Sequence, residues 1–99
     1  MLDIKKESNG TNLTITLEGR LDTTTAPQLE EEVKASTVGV SDLVMDIEKL
    51  EYVSSAGLRV FLLAQKTMNK QGSMKIIHVC TEVKEIFDVT GFSDFLTIE

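Results

Sequence analysis

The chain has 99 residues, 41% of them hydrophobic, with no Trp, one Tyr and four Phe, which suits one domain with a mainly aliphatic core. Its 16 acidic and 10 basic residues give a formal net charge of −6 and no basic stripe, which argues against nucleic acid and against adhesion to anionic lipid. The one cysteine, Cys80, excludes an internal disulfide and a multi-cysteine metal site. No apolar run approaches the roughly 20 residues of a membrane span, and the N-terminus lacks a signal-peptide hydrophobic region, so a soluble cytoplasmic protein without direct membrane insertion is expected.

The predicted elements alternate along the chain. Ile4 to Ser8 reads as a first strand, and Asn9-Gly10 as a tight hairpin turn, because both residues accept positive φ. Leu13, Ile15 and Leu17 alternate with Thr14, Thr16 and Glu18, the period of a half-buried strand, which Gly19 is expected to end. Thr23 to Gln28 reads as a helix start, with Pro27 in the first turn and Thr25 and Gln28 at capping-box spacing. Leu29 and Val33 form the inner face of that helix, and a loop holding Gly39 covers Ser36 to Ser41. Leu43 to Ile47 reads as a buried strand, joined by a short polar link to a helix from about Ser55 to Asn69. The expected apolar stripe of that helix is Leu58, Phe61, Leu62 and Met68, with Gln71-Gly72 closing it. Met74 to Val79 is expected as a strand. Thr81 is the expected cap of a third helix, with Val83, Ile86 and Phe87 inside and Gly91 as its stop, and Phe95 to Ile98 reads as a last strand. The order predicts an α/β fold: one domain over 1–99, a mixed sheet with three or four helices mainly on one face.

Enzymatic signatures are weak. No glycine-rich phosphate loop is present. Val53-Ser54-Ser55-Ala56-Gly57 lacks the first glycine of a nucleophile elbow. The only histidine, His78, falls in a predicted strand, where a structural role is expected. Asp46, Glu48 and Glu51 read as solvated surface charges rather than a metal site, and Cys80 as a small buried apolar residue. No catalytic, cofactor or metal residue is assigned.

Ser54 and Ser55 carry the functional signal. They fall at a helix N-terminus, where unpaired N–H groups and the positive end of the macrodipole favour an anion. One of them serving as a simple N-cap is the structural alternative. Ala56 and Gly57 add little bulk around the serines, which leaves room for a docking partner, although a helical Gly costs about 1 kcal/mol against Ala.

The chain resembles STAS domains of the bacterial anti-sigma factor antagonist type over nearly its whole length. The resemblance rests on Leu17-Glu18-Gly19-Arg20-Leu21-Asp22 before a helix, on Leu43 to Ile47, and on Tyr52-Val53-Ser54-Ser55-Ala56-Gly57-Leu58. It continues in Val83-Lys84-Glu85-Ile86-Phe87 and Thr90-Gly91-Phe92. It implies that Ser55 is the phosphoacceptor and that Asp22 lies close to the partner surface. Ser54 stands where the family often has an acidic residue, and offers a minor alternative acceptor. The implied mechanism is partner switching. The unphosphorylated domain binds an anti-sigma factor that is also a serine-protein kinase, phosphorylation at Ser55 releases it, and a metal-dependent serine phosphatase resets it. No cofactor is implied. Asp22, Thr24, Ser54, Ser55, Ala56, Gly57 and Arg59 are the expected partner-binding residues. Two alternatives are a non-catalytic STAS subunit of a membrane lipid-transporter complex and a small-ligand domain using the same helix end as an anion site.

Overall fold

A computed structural model describes residues 2–99. Four strands form one sheet in the order β1 (Leu2–Asn9), β2 (Asn12–Leu21), β3 (Asp42–Val53) and β4 (Ser73–Ile77). The β1–β2 hairpin is antiparallel, and β3 and β4 are added in parallel, so the sheet is mixed. Helices α1 (Ala26–Ser36), α2 (Ser55–Asn69) and α3 (Thr81–Thr90) connect or follow the strands, with a short 3-10 turn at Phe92–Asp94. The alternation in β2 is as predicted: Leu13, Ile15 and Leu17 are buried, and Thr14 and Thr16 are half-buried on the other face. The inward residues Ile15, Leu17, Met45, Ile47 and Ile76 join Leu29, Val33, Phe61, Met68 and Phe87 in one core. Phe61 and Phe87 meet edge to face, with ring centroids 5.8 Å apart and planes at 76°, the arrangement that ring quadrupoles prefer.

Several boundaries differ from expectation. Gly19 does not end β2, which runs to Leu21; its φ of 109° is a conformation that glycine adopts readily, and it lies at a register irregularity. β3 runs well past Ile47, and the supposed polar link is strand. After Ile47 the next buried residues are Leu50 and Val53, three apart rather than two. Two register shifts against β2 cause this: Thr16 pairs with Asp46 but Glu18 with Lys49, and Gly19 pairs with Leu50 but Arg20 with Tyr52. Each inserts one extra residue into β3 and resets which face its side chains occupy.

At the other end of the chain, β4 stops at Ile77 because His78 takes a φ of 59°. The expected strand at Phe95 to Ile98 reduces to a single parallel bridge between Ile76 and Ile98, and Phe95 is exposed.

The helices also differ in detail. The capping box at Thr25 and Gln28 does not form: the Thr25 hydroxyl donates to the Arg20 carbonyl (2.9 Å) and accepts from the Asp22 N–H (2.8 Å) instead. Thr81 is the first residue of α3 and Cys80 occupies the cap position; Cys80 is half-buried, with its thiol 3.9 Å from the Leu50 carbonyl oxygen. Leu62 is only half-buried. The inner face of α2 is Gly57, Leu58, Val60, Phe61, Ala64, Gln65 and Met68.

Candidate functional site

Because β2 and β3 run parallel, their C-terminal ends open on the same end of the sheet. β2 leads through 22–25 into α1, and β3 leads through Ser54 into α2, so two helix N-termini meet there. Such strand ends are where open α/β sheets present their sites. The two connections are tied directly: the Ser54 N–H donates to the Leu21 carbonyl at 2.8 Å.

Ser54 is the N-cap of α2. Its backbone is extended, its hydroxyl accepts from the Gly57 N–H at 3.3 Å, and its carbonyl accepts the first helical bond, from Leu58, at 2.9 Å. Ser55 is the first helical residue and is exposed; among the described residues its hydroxyl makes no hydrogen bond. The two serines therefore divide the roles that the sequence leaves open. One hydroxyl is committed to the backbone and the other faces solvent at the positive end of a 15-residue helix with no acidic side chain in its first turn.

Asp22 holds the neighbouring loop. Its Oδ1 accepts from the Thr24 hydroxyl (2.7 Å), the Thr24 N–H (2.9 Å) and the Thr25 N–H (3.1 Å). The Thr24 hydroxyl is the largest influence on the Asp22 carboxyl and, with the Thr24 and Thr25 N–H groups, holds it below its ordinary pKa of 3.8 against the opposing effect of desolvation. Asp22 is half-buried and Thr24 exposed. Arg59 is exposed one turn beyond Ser55, and Ala56 is half-buried against the core.

Gly57 corrects the expectation of a small residue open to a docking partner. It is buried, and a Cβ there would sit 2.6 Å from Leu21 Cγ and 3.2 Å from Val53 Cγ1. Its size lets α2 lie close against the ends of β2 and β3, which brings the serines beside the Asp22 loop.

Other polar groups lie away from these serines. His78 is not inside a strand; its Nδ1 is 3.0 Å from Asp46 Oδ1, on the sheet. Asp46 also accepts from the Glu48 N–H at 3.1 Å, so it is half-buried and engaged rather than simply solvated. No group of three or more His, Cys, Asp or Glu side chains among the described residues is placed to hold a metal. Among the described residues no helix is long and apolar enough to cross a membrane.

The sequence reading missed one feature of this end of the molecule. The Arg20 guanidinium lies over the Tyr52 ring, 4.6 Å from its centroid. Arg20 precedes Asp22 by two residues and Tyr52 precedes Ser54 by two, but only the register of β3 against β2, with its extra residues, shows that these offsets correspond.

A four-stranded mixed sheet backed by three helices, with an exposed serine at the start of α2 beside the Asp22 loop, defines a small α/β domain. The chain belongs to the STAS domain family, whose model matches residues 3–99. It is 38% identical over 78 residues to a putative anti-sigma factor antagonist, BtrV, of Bordetella bronchiseptica, covering 77% of this chain and 67% of that one. It is 30% identical to the anti-sigma-B factor antagonist of Bacillus subtilis, covering 98% of this chain and 88% of that one. The fold matches that of an anti-sigma factor antagonist from Mycobacterium paratuberculosis with a TM-score of 0.89, at 19% identity, over 99% of this chain and 85% of the other. It also matches the Bacillus cell fate determinant SpoIIAA in its phosphorylated form, with a TM-score of 0.76, at 16% identity, over 98% and 91% of the two chains.

Proposed function

We propose that this chain is an anti-sigma factor antagonist that works in the cytoplasm by partner switching, controlled by reversible phosphorylation of Ser55. The observation that carries this reading is the division of labour between the serines: Ser54 caps α2, and Ser55 presents an exposed, unbonded hydroxyl one residue on. The names of the Bordetella and Bacillus relatives support the class of function, and the existence of a phosphorylated form of SpoIIAA supports the type of control.

In the unphosphorylated state the end of the sheet, with Asp22, Thr24, Ser54, Ser55, Ala56 and Arg59, docks on an anti-sigma factor that is also a serine-protein kinase. That contact frees the sigma factor. Transfer of a phosphoryl group to Ser55 adds about −1.5 to −2 charges at neutral pH. The helix N-terminus tolerates the new charge, so the domain keeps its fold. A protein docked against Ser55 must desolvate that charge without a cation in the complementary position, and the complex separates. A metal-dependent serine phosphatase restores the binding form. The chain itself performs no catalysis and takes no cofactor.

The test is intact mass and phosphopeptide mapping after incubation with ATP and the cognate kinase, on wild type, Ser54→Ala and Ser55→Ala. One phosphate at Ser55 in wild type and Ser54→Ala, and none in Ser55→Ala, is the expected result. Full phosphate incorporation in Ser55→Ala would refute the assignment.

A further inference from the structure

Arg20 sits in an unusual position for a cation in an acidic chain. It is one of two arginines, in a protein with 16 acidic residues. Glu18 lies two residues before it on β2, and Glu51 adjoins Tyr52 on β3, yet Arg20 forms no ion pair among the described residues. Its guanidinium lies over the Tyr52 ring instead. Arg20 and Tyr52 are directly paired across parallel β2 and β3, and Tyr52 is 37% exposed. The next residues on each strand, Leu21 and Val53, are buried toward the helices, so Arg20 and Tyr52 face the opposite, uncovered side of the sheet. They lie at its extreme end, one step from the Ser54 N–H to Leu21 carbonyl bond that joins the two site loops. The register shift between Gly19 and Arg20 sets this pairing: an extra residue in β3 brings Tyr52, rather than Glu51, opposite Arg20.

Stacking fixes the plane of a guanidinium while leaving its N–H edge free, and that edge is a fork matched to a carboxylate. We propose that Arg20, held in place by Tyr52, is a specificity-determining contact that receives an acidic side chain of the anti-sigma partner, extending the docking surface from the end of the sheet around onto its uncovered face. The inference rests on the partner-switching reading and adds to it a contact outside the serine and Asp22 loops. Charge selects the occupant. Acidic residues dominate this chain and repel a carboxylate generally, so a guanidinium held over a ring and unpaired among the described residues gives a partner carboxylate a defined register. Aromatic and arginine side chains are also the residue types that concentrate binding energy at interface centres.

The test is titration calorimetry of the full chain against the cognate anti-sigma kinase, with phosphate incorporation at Ser55 followed in parallel. Arg20→Gln is expected to weaken binding roughly tenfold to hundredfold. Arg20→Lys, which keeps the charge but loses the fork, is expected to recover only part of that loss. Tyr52→Phe, which keeps the ring, is expected to bind like wild type, and Tyr52→Leu to weaken binding. The Arg20→Gln/Tyr52→Leu double variant should be no weaker than Arg20→Gln alone, because the ring acts through the guanidinium. Both side chains are at the surface, so unchanged melting curves check that the fold is kept. Wild-type affinity in Arg20→Gln overturns the proposal. So does slower or faster phosphate incorporation at Ser55 in Arg20→Gln at unchanged affinity, which would assign Arg20 to the phosphoryl transfer instead. Failure of the wild type itself to bind the kinase or take up phosphate refutes the partner-switching reading rather than the Arg20 contact.

Discussion

Ser54 and Leu21 are joined by a 2.8 Å hydrogen bond from the Ser54 N–H to the Leu21 carbonyl, and this bond turns two separate strand ends into one surface. Leu21 also packs beneath α2, where its side chain fills the space that a Cβ on Gly57 would need. The backbone of Leu21 thus holds the start of the helix while its side chain sets how closely the helix lies.

Gly57→Ala is expected to destabilise the domain by about 1–2 kcal/mol. The added methyl forces fully buried Leu21 aside, an overpacking cost of about 1–3 kcal/mol, and the gain of up to about 1 kcal/mol in helix propensity offsets only part of it. Urea unfolding measures the change, and an increase in stability would mean that α2 is free to lift from the strand ends.

The two serines should respond differently to alanine. Ser54→Ala removes the acceptor for the Gly57 N–H and is expected to cost about 1 kcal/mol. Ser55→Ala removes a solvent-facing hydroxyl and is expected to change stability by less than about 0.5 kcal/mol. Thermal melts of the two variants side by side check the order, and a larger loss in Ser55→Ala would reverse the cap assignment.

Ser55→Asp is expected to melt at or slightly above the wild-type temperature, because a carboxylate in the first turn of α2 interacts favourably with the dipole by about 0.3–1 kcal/mol. It is expected to bind the anti-sigma partner at least tenfold more weakly, because docking must desolvate the carboxylate. Calorimetric binding at wild-type strength would contradict the switch.

Phe61→Ala is expected to cost about 3–5 kcal/mol, since Phe61 is fully buried against Phe87. Leu62→Ala, one residue further, removes a half-buried side chain and should cost less than half as much. Equal losses at the two positions would place Leu62 in the core after all.

Asp22 supplies a pH dependence with a defined sign. Its folded-state pKa lies below 3.8, first because of the Thr24 hydroxyl and then the loop N–H groups. A depressed carboxylate contributes stability that is fully present above the unfolded value and is lost as pH falls through the folded value. The loop that carries Asp22 and Thr24 should therefore hold its geometry at neutral pH and loosen only below about pH 4. Carbon-detected titration of the Asp22 carboxyl is the direct measurement, and a midpoint at or above 3.8 would show that the loop hydrogen bonds are not made in solution.

Local periodicity and residue chemistry made much of this protein legible in its sequence. The alternation of Leu13, Ile15 and Leu17, the left-handed glycine at Gly91 and the start of α2 beside Ser55 all depend on near neighbours in the chain, and all appear where the sequence placed them. Only the tertiary structure decided the length of β3, the role of Gly57 and the pairing of Arg20 with Tyr52. Extra residues in β3 are defined against β2, so the three-residue spacing of Ile47, Leu50 and Val53 reads as one continuous strand only once that partner is in place. A glycine at a helix start looks the same whether a partner or Leu21 requires its missing side chain, because that requirement comes from a strand residue 36 positions earlier in the chain. The sequence likewise placed both serines at a helix end, but which one caps the helix and which one faces solvent is fixed only when the bond to Leu21 sets the chain's direction into α2.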